Sequence, residues 1–258
     1  MTQPPDEAGA ISLSGYVDAD GVRTYYEADG AGEPLLLLHG GFATIETWTG
    51  QRPALAAHFR VYLPERRGHG RSPDVPGPMG FAAMARDTAA FMAALGIGPA
   101  HVVGWSDGGY VALELALARP DLIRRLVLIG TAANQDGYTE ATRADNASLT
   151  PGSLPPFIRA SYDRLSPDGP DHFPVVFEKL AAVWRAEPAH PLADLARLTM
   201  PTLLMLGDDD GLTVEHAAAM RRALPHGQLA VIPGASHALL FERRDLANRL
   251  LLDFLTEG

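Results

Sequence analysis

His101-Val102-Val103-Gly104-Trp105-Ser106-Asp107-Gly108-Gly109-Tyr110 is a short β-branched run that breaks into glycines around one serine. It passes straight into the apolar segment Val111-Ala112-Leu113-Glu114-Leu115-Ala116. The pattern reads as strand, sharp turn and helix, with Ser106 at the corner. A serine on such a corner leaves little room for side chains two residues either way, which accounts for Gly104 and Gly108. The helix that starts behind it turns the free backbone N–H of Asp107, and the positive end of the helix dipole, towards any oxyanion formed there. Ser106 is therefore the candidate nucleophile. In a chain with 26 glycines the same residues also describe an ordinary βα turn, so the assignment depends on partners elsewhere.

A serine hydroxyl is a weak nucleophile at neutral pH and needs a base within hydrogen-bond reach. Of nine histidines, His237 is distinguished by its place in Pro233-Gly234-Ala235-Ser236-His237-Ala238. This loop follows the last predicted strand, at the carboxyl edge where chemistry gathers in open α/β sheets. The imidazole in turn needs a carboxylate to hold its tautomer and stabilise its cation. The strand predicted over 201–206 runs into Gly207-Asp208-Asp209-Asp210-Gly211, where Asp210 is far enough along to turn back to the histidine. Asp208 and Asp209 fit turn-making roles. A calcium loop is not completed, since Leu212 stands at the next ligand position, and no metal site is expected.

Another apolar run, Pro34-Leu35-Leu36-Leu37-Leu38, suits a strand buried on both faces and ends in His39-Gly40-Gly41-Phe42. A glycine-rich turn at that point can direct a second backbone N–H into the crevice. Gly41 is the expected donor, with Phe42 as the alternative.

Around these motifs the chain alternates strand and helix. Residues 11–17 and 22–28 form a predicted hairpin about Asp18-Ala19-Asp20-Gly21. A helix over 47–57 and a strand over 59–64 follow. The loop Glu65-Arg66-Arg67-Gly68-His69-Gly70-Arg71-Ser72 is read as structural, with Arg67 bracing neighbouring carbonyls or carboxylates and His69 a loop side chain. An amphipathic helix over 81–95 precedes the serine strand, and a buried strand over 123–129 follows its helix. The alternation then breaks into a proline-rich stretch with helical patches at 156–165 and 173–186, where Phe173, Phe177, Leu180 and Trp184 share one face. Regular alternation resumes with a strand over 201–206, a helix over 214–224, a strand over 228–232 and a helix over 245–255. The expected organisation is a core of residues 1–130 and 199–258, with 131–198 inserted as a small helical cap. Phe42, Trp105, Asp107, Tyr110 and Trp184 are the candidate substrate-binding residues.

Length and composition fit one soluble α/β domain with an insertion: 258 residues, 47% hydrophobic and 20% charged. No run approaches the roughly 18 to 20 apolar residues that span a bilayer. The net charge of −10, with scattered arginines, argues against nucleic acid and anionic membranes as partners. Cysteine is absent, and the first nine residues lack the basic and apolar regions of a secretion signal. The chain is expected to be cytoplasmic, a monomer or homodimer, acting on a small-molecule ester or lactone without a cofactor.

Taken together, the His39-Gly40-Gly41 turn, Ser106, Asp210 and His237 fall in the order of the α/β-hydrolase-fold serine hydrolases, which the chain resembles along nearly its whole length. The resemblance implies a mostly parallel eight-stranded sheet flanked by helices, with a small cap. Gly104-Trp105-Ser106-Asp107-Gly108-Gly109, with Phe177-Glu178-Lys179, is similar to the biphenyl hydrolase-like (valacyclovir hydrolase) branch. That branch cleaves amino-acid esters, and its aspartate after the nucleophile binds the substrate's amino group, a role that falls on Asp107. The resemblance also implies a lactonase or cofactor-free perhydrolase as an alternative with the same three residues. A ligand receptor on a hydrolase scaffold is a further alternative. One departure is Glu65, which stands where the superfamily usually places aspartate.

Overall fold

Leu35, Leu36, Leu37, Leu38, Val102, Val103, Leu126 and Val127 are all fully buried. Apolar side chains on both faces of a strand require cover on both sides, the situation of a parallel sheet between helical layers. The computed structural model, which describes residues 12–257, has that architecture. Eight strands are present among the described residues: β1 (Leu13–Ala19), β2 (Val22–Asp29), β3 (Pro34–Leu38), β4 (Arg60–Pro64), β5 (Ala100–Trp105), β6 (Ile123–Ile129), β7 (Thr202–Asp209) and β8 (Gly227–Ser236). They form one sheet in the order β1-β2-β4-β3-β5-β6-β7-β8. The β1–β2 and β2–β4 pairs are antiparallel and the others parallel. The expected hairpin is β1–β2, although Ile11 and the first nine residues lie outside the described residues.

Among the described residues nine α-helices accompany the sheet: α1 (Arg52–Ala56), α2 (Phe81–Ala94), α3 (Asp107–Ala118), α4 (Glu140–Ser148), α5 (Pro156–Leu165), α6 (Phe173–Ala186), α7 (Val214–Ala223), α8 (Leu239–Glu242) and α9 (Arg244–Thr256). Alternate strand residues feed two cores. Leu36, Leu38, Val102 and Leu128 join Phe81 and Phe91 of α2 and Val111 of α3 on one face. Leu35, Leu37, Val103 and Val127 join Trp48, Leu251 and Phe254 on the other. No helix among the described residues is long and apolar enough to cross a membrane.

Three local expectations differ from what is found. The helix expected over 47–57 is a 3-10 turn, Ile45–Gly50, followed by the short α1. The strands expected over 201–206 and 228–232 run on as a paired, irregular extension in which Asp209 faces Ser236. Gly207 permits it, because a Cβ there would press on the Ala235 carbonyl. Helix α4 was not anticipated: it has no buried residue, so its sequence carries no apolar stripe.

Between β6 and β7 the chain forms α4, α5 and α6. Phe173, Phe177 and Leu180 of α6 are buried in the same cluster as Phe81 and Tyr110. Phe42 packs against α6: its ring centroid lies 5.9 Å from Phe177 and 5.5 Å from Trp184. A polar strap adds to this, with Lys179 Nζ 2.6 Å and His172 Nε2 2.9 Å from Asp74.

Candidate active site

Ser106 caps α3 in a left-handed conformation, φ +55° and ψ −122°, a region that costs a non-glycine residue about 1–3 kcal/mol. Its neighbours show why glycines surround it. A Cβ on Gly104 would strike the Gly108 carbonyl, one on Gly108 would strike the Leu38 carbonyl, and one on Gly109 would strike the Thr131 hydroxyl. The corner is locked from outside by Ser106 N–H donating to the Ile129 carbonyl at 2.8 Å. The first residue of α3 is Asp107, so its N–H is among those with no partner inside the helix.

His237 directly follows β8. Its Nδ1 lies 2.9 Å from Asp210 Oδ1, so Nδ1 carries the proton towards the carboxylate and Nε2 is left as the ring's acceptor. Burial pushes the imidazole pKa down. The Asp210 hydrogen bond and charge, with the charge of Asp107, outweigh that and hold it above the ordinary value. Gly130, at φ +58°, lets the chain pass beneath the ring: a Cβ there would sit 2.7 Å from His237 Cε1. On the other side the Trp105 ring lies 5.5 Å from the imidazole. Its indole N–H donates to the His237 carbonyl at 3.0 Å. Of the three successive aspartates, Asp208 and Asp209 are exposed and Asp210 is buried. Asp208 accepts a hydrogen bond from Ala235 N–H at 3.2 Å, fixing the β7–β8 end.

At the end of β3 the turn His39-Gly40-Gly41-Phe42 faces this pair. Phe42 has φ +52°, and its ring leaves the crevice for the aromatic cluster of α6. Gly41 has no space for a side chain, since a Cβ would press on the Asp107 carboxylate and lie 2.5 Å from Trp184 Cζ2. The Asp107 carboxylate is buried and accepts the Trp184 indole N–H, 3.0 Å from both oxygens. Burial raises its pKa, with Arg66, Trp184 and His237 acting in the opposite direction. Arg66 and His39 lie behind the turn, both buried.

A cavity of about 350 Å³ opens over these groups. Ser106, Asp107, Asp210, His237, Gly41, Trp105, Tyr110 and Trp184 all line it, whereas Phe42 does not. Its remaining wall includes Tyr138, Thr142, Asn146 and Leu212. Sequence reasoning missed these, as no motif surrounds Tyr138 and α4 carries no large apolar residue. Tyr138 and Tyr110 share a hydrogen bond between hydroxyls at 2.9 Å. Burial raises the pKa of both phenols, so they face the cavity un-ionised.

None of residues 65–72, the loop after β4, lines the cavity. Arg67 grips Asp87 with two bonds of 2.6 Å. His69, pushed down to about 3 by burial and by Arg66, points at its own loop, with Nδ1 2.9 Å from the Arg67 carbonyl. Glu65 is buried and takes the Arg71 N–H at 2.6 Å and its guanidinium at 2.8 Å. Gly70 makes room for the longer carboxylate, since a Cβ there would overlap it. Among the described residues no three His, Asp or Glu side chains are grouped to hold a metal ion.

Comparison with known proteins agrees with this fold. The family model described as alpha/beta hydrolase matches residues 35–249. RutD of Azorhizobium caulinodans, named for carbamate hydrolysis, is 31% identical over 93% of this chain and 96% of its own. The meta-cleavage product hydrolase CumD of Pseudomonas fluorescens superposes with a TM-score of 0.80 at 25% identity, covering 93% of this chain and 97% of that one. An esterase of Thermogutta terrifontis gives 0.71 at 27% identity, over 94% and 98%. A single sheet whose strand ends carry these motifs, matched along most of the sequence, places the chain in the alpha/beta hydrolase family.

Proposed function

We propose that the chain is a serine hydrolase cleaving carboxylic esters of small molecules through an acyl-enzyme. Ser106 attacks the acyl carbon as His237 Nε2 takes its proton. The tetrahedral oxyanion is held by the N–H groups of Gly41 and Asp107, and the imidazolium by Asp210. The proton then passes to the leaving alcohol, and water, activated by the same imidazole, releases the acid. Residues 131–198 act as a cap over the reaction. The observation that carries this reading is the 2.9 Å Asp210–His237 bond, with His237 lining one cavity together with Ser106.

Among the described residues the lining contains two carboxylates, Asp107 and Asp210, and no lysine or arginine. Such a cavity disfavours anionic acyl groups and favours neutral or cationic ones, amino-acid esters among them. The test is a panel of neutral, anionic and α-amino esters, with lactones and the carbamates that the RutD name suggests. It is run with Ser106→Ala as blank and a fluorophosphonate probe as label. Turnover and labelling confined to the chain carrying Ser106 support the assignment; a variant labelled as strongly as wild type overturns it. Activity on alanyl or valyl esters that survives Asp107→Asn undiminished removes the amino-group role.

A further inference from the structure

The turn that supplies the β3-side oxyanion donor consists of two adjacent glycines, Gly40 and Gly41. A peptide between two glycines has no side chain to resist rotation, yet its orientation decides what the oxyanion meets. In a trans peptide the C=O of one residue and the N–H of the next point in opposite directions. The Gly40 carbonyl and the Gly41 N–H are such a pair. Rotated one way, the unit presents a donor to the cavity; rotated the other, it presents a carbonyl oxygen that repels the developing charge.

The Gly40 carbonyl is held by three donors, from residues that do not line the cavity. His39 Nδ1 lies 2.8 Å away, an Arg66 guanidinium nitrogen 3.0 Å, and the Ala43 N–H 3.3 Å. The other Arg66 terminal nitrogen bonds the His39 carbonyl. The backbone N–H of Arg66 donates to His39 Nε2 at 3.2 Å, which fixes the imidazole so that Nδ1 is its donor. Burial and the neighbouring Arg66 keep this histidine neutral, with its pKa well below the ordinary value. Arg66 itself is 4% exposed, and burial pulls it down only to about 10, so the guanidinium stays charged at neutral pH. That charge acts on Asp107, the buried carboxylate beside Gly41.

From this geometry we infer that Arg66 is a positioning residue that pins the Gly40–Gly41 peptide with its N–H facing the cavity. The inference rests on the serine-hydrolase reading above. His39 is the second pin. The arrangement selects Gly41 as the donor over Phe42, whose N–H belongs to the next peptide. It also gives Arg66 a second effect, for its charge offsets the Asp107 carboxylate, which would otherwise oppose the oxyanion at close range.

The test compares Arg66→Met, Arg66→Gln and His39→Phe with wild type on one neutral ester, after thermal unfolding has shown each variant folded. A trifluoromethyl ketone, which binds as a tetrahedral oxyanion, is the second readout. Losing one oxyanion donor costs about 10²–10³ in kcat. Arg66→Met is expected to lose about 100-fold in kcat with KM within about threefold, and ketone affinity is expected to fall by the same factor. Arg66→Gln, which keeps amide donors, recovers about tenfold of that loss, and His39→Phe loses about tenfold. A folded Arg66→Met with wild-type kcat and ketone affinity overturns the inference, as does a change in KM alone. If Arg66→Met does not fold, Arg66→Gln and His39→Phe decide, and undiminished kcat in both overturns it. Wild type that neither turns over any ester nor takes the fluorophosphonate label instead sinks the hydrolase reading itself.

Discussion

The two walls of the cavity are built on opposite plans. The sheet-side wall is backbone held under constraint: Ser106 at positive φ, and Gly130 beneath the imidazole and Gly41 pressed on a carboxylate, neither with room for a Cβ. The opposite wall is made of side chains, several of them on helices. Trp184 reaches down from α6, and α4 contributes Thr142 and Asn146 with no residue of its own buried. One wall sets distances to fractions of an ångström, and the other sets what fits. Substitutions in the first are thus expected to strike rate, and those in the second affinity and preference.

The sharpest division comes from Asp210→Asn. It leaves the shape but removes the charge that holds the His237 tautomer, and is expected to lower kcat by about 10⁴-fold. Its pH profile is a second check. Wild-type His237 titrates above its ordinary value of about 6.5, and the base must be neutral, so activity rises with pH through that raised pKa. In Asp210→Asn burial acts without its counterweight, and the rise moves to lower pH. Stability follows the opposite sense. A raised folded-state pKa stabilises fully below about pH 6.5 and that contribution is lost as pH climbs through the raised value, so the deficit of the variant in thermal unfolding is widest at acid pH.

Gly130→Ala probes the same wall by volume, placing a methyl 2.7 Å from the His237 ring at φ +58°. We expect about 1–3 kcal/mol of destabilisation by denaturant titration, and a loss of about 100-fold or more in kcat as the ring is displaced. On the other wall, Trp184→Phe keeps the ring and removes both bonds to Asp107. About 1–2 kcal/mol of stability and a change in KM larger than that in kcat are expected. Asn146→Ala is the smallest: stability within about 0.5 kcal/mol, and a severalfold change in KM that depends on substrate size. If Asn146→Ala cut kcat as deeply as Gly130→Ala, the two walls would not divide the work in this way.

The same contrast governs what could be read from the chain. Strands such as Leu35–Leu38 announce themselves because burial on both faces demands an unbroken apolar run. The corner at Ser106 does so because Gly104 meets the backbone of Gly108 across it, although Gly108 and Gly109 also answer to Leu38 and Thr131, far away in sequence. Asp210 was separable from its two neighbours by reach along the loop. The insertion's inner surface left little trace, since Tyr138, Thr142 and Asn146 lie in a polar stretch without periodicity. Arg67 was expected to brace carbonyls or carboxylates; it holds a carboxylate, Asp87, while Arg66 beside it holds the carbonyls of His39 and Gly40. Adjacent identical residues pointing to opposite sides of a loop are beyond a reading of composition or spacing. The eight-residue and ten-residue lengths of β7 and β8 were missed because Pro233 and Gly234 look like an ending, whereas the close fit of Gly207 against Ala235 lets pairing continue.

The conformation of Ser106 sets folding against chemistry at a single residue. Glycine there would relax the main chain, so Ser106→Gly should melt at a higher temperature than the parent while doing no work on an ester. A laboratory selection for heat tolerance alone would therefore discard the hydroxyl, and only a screen that also demands turnover would keep it.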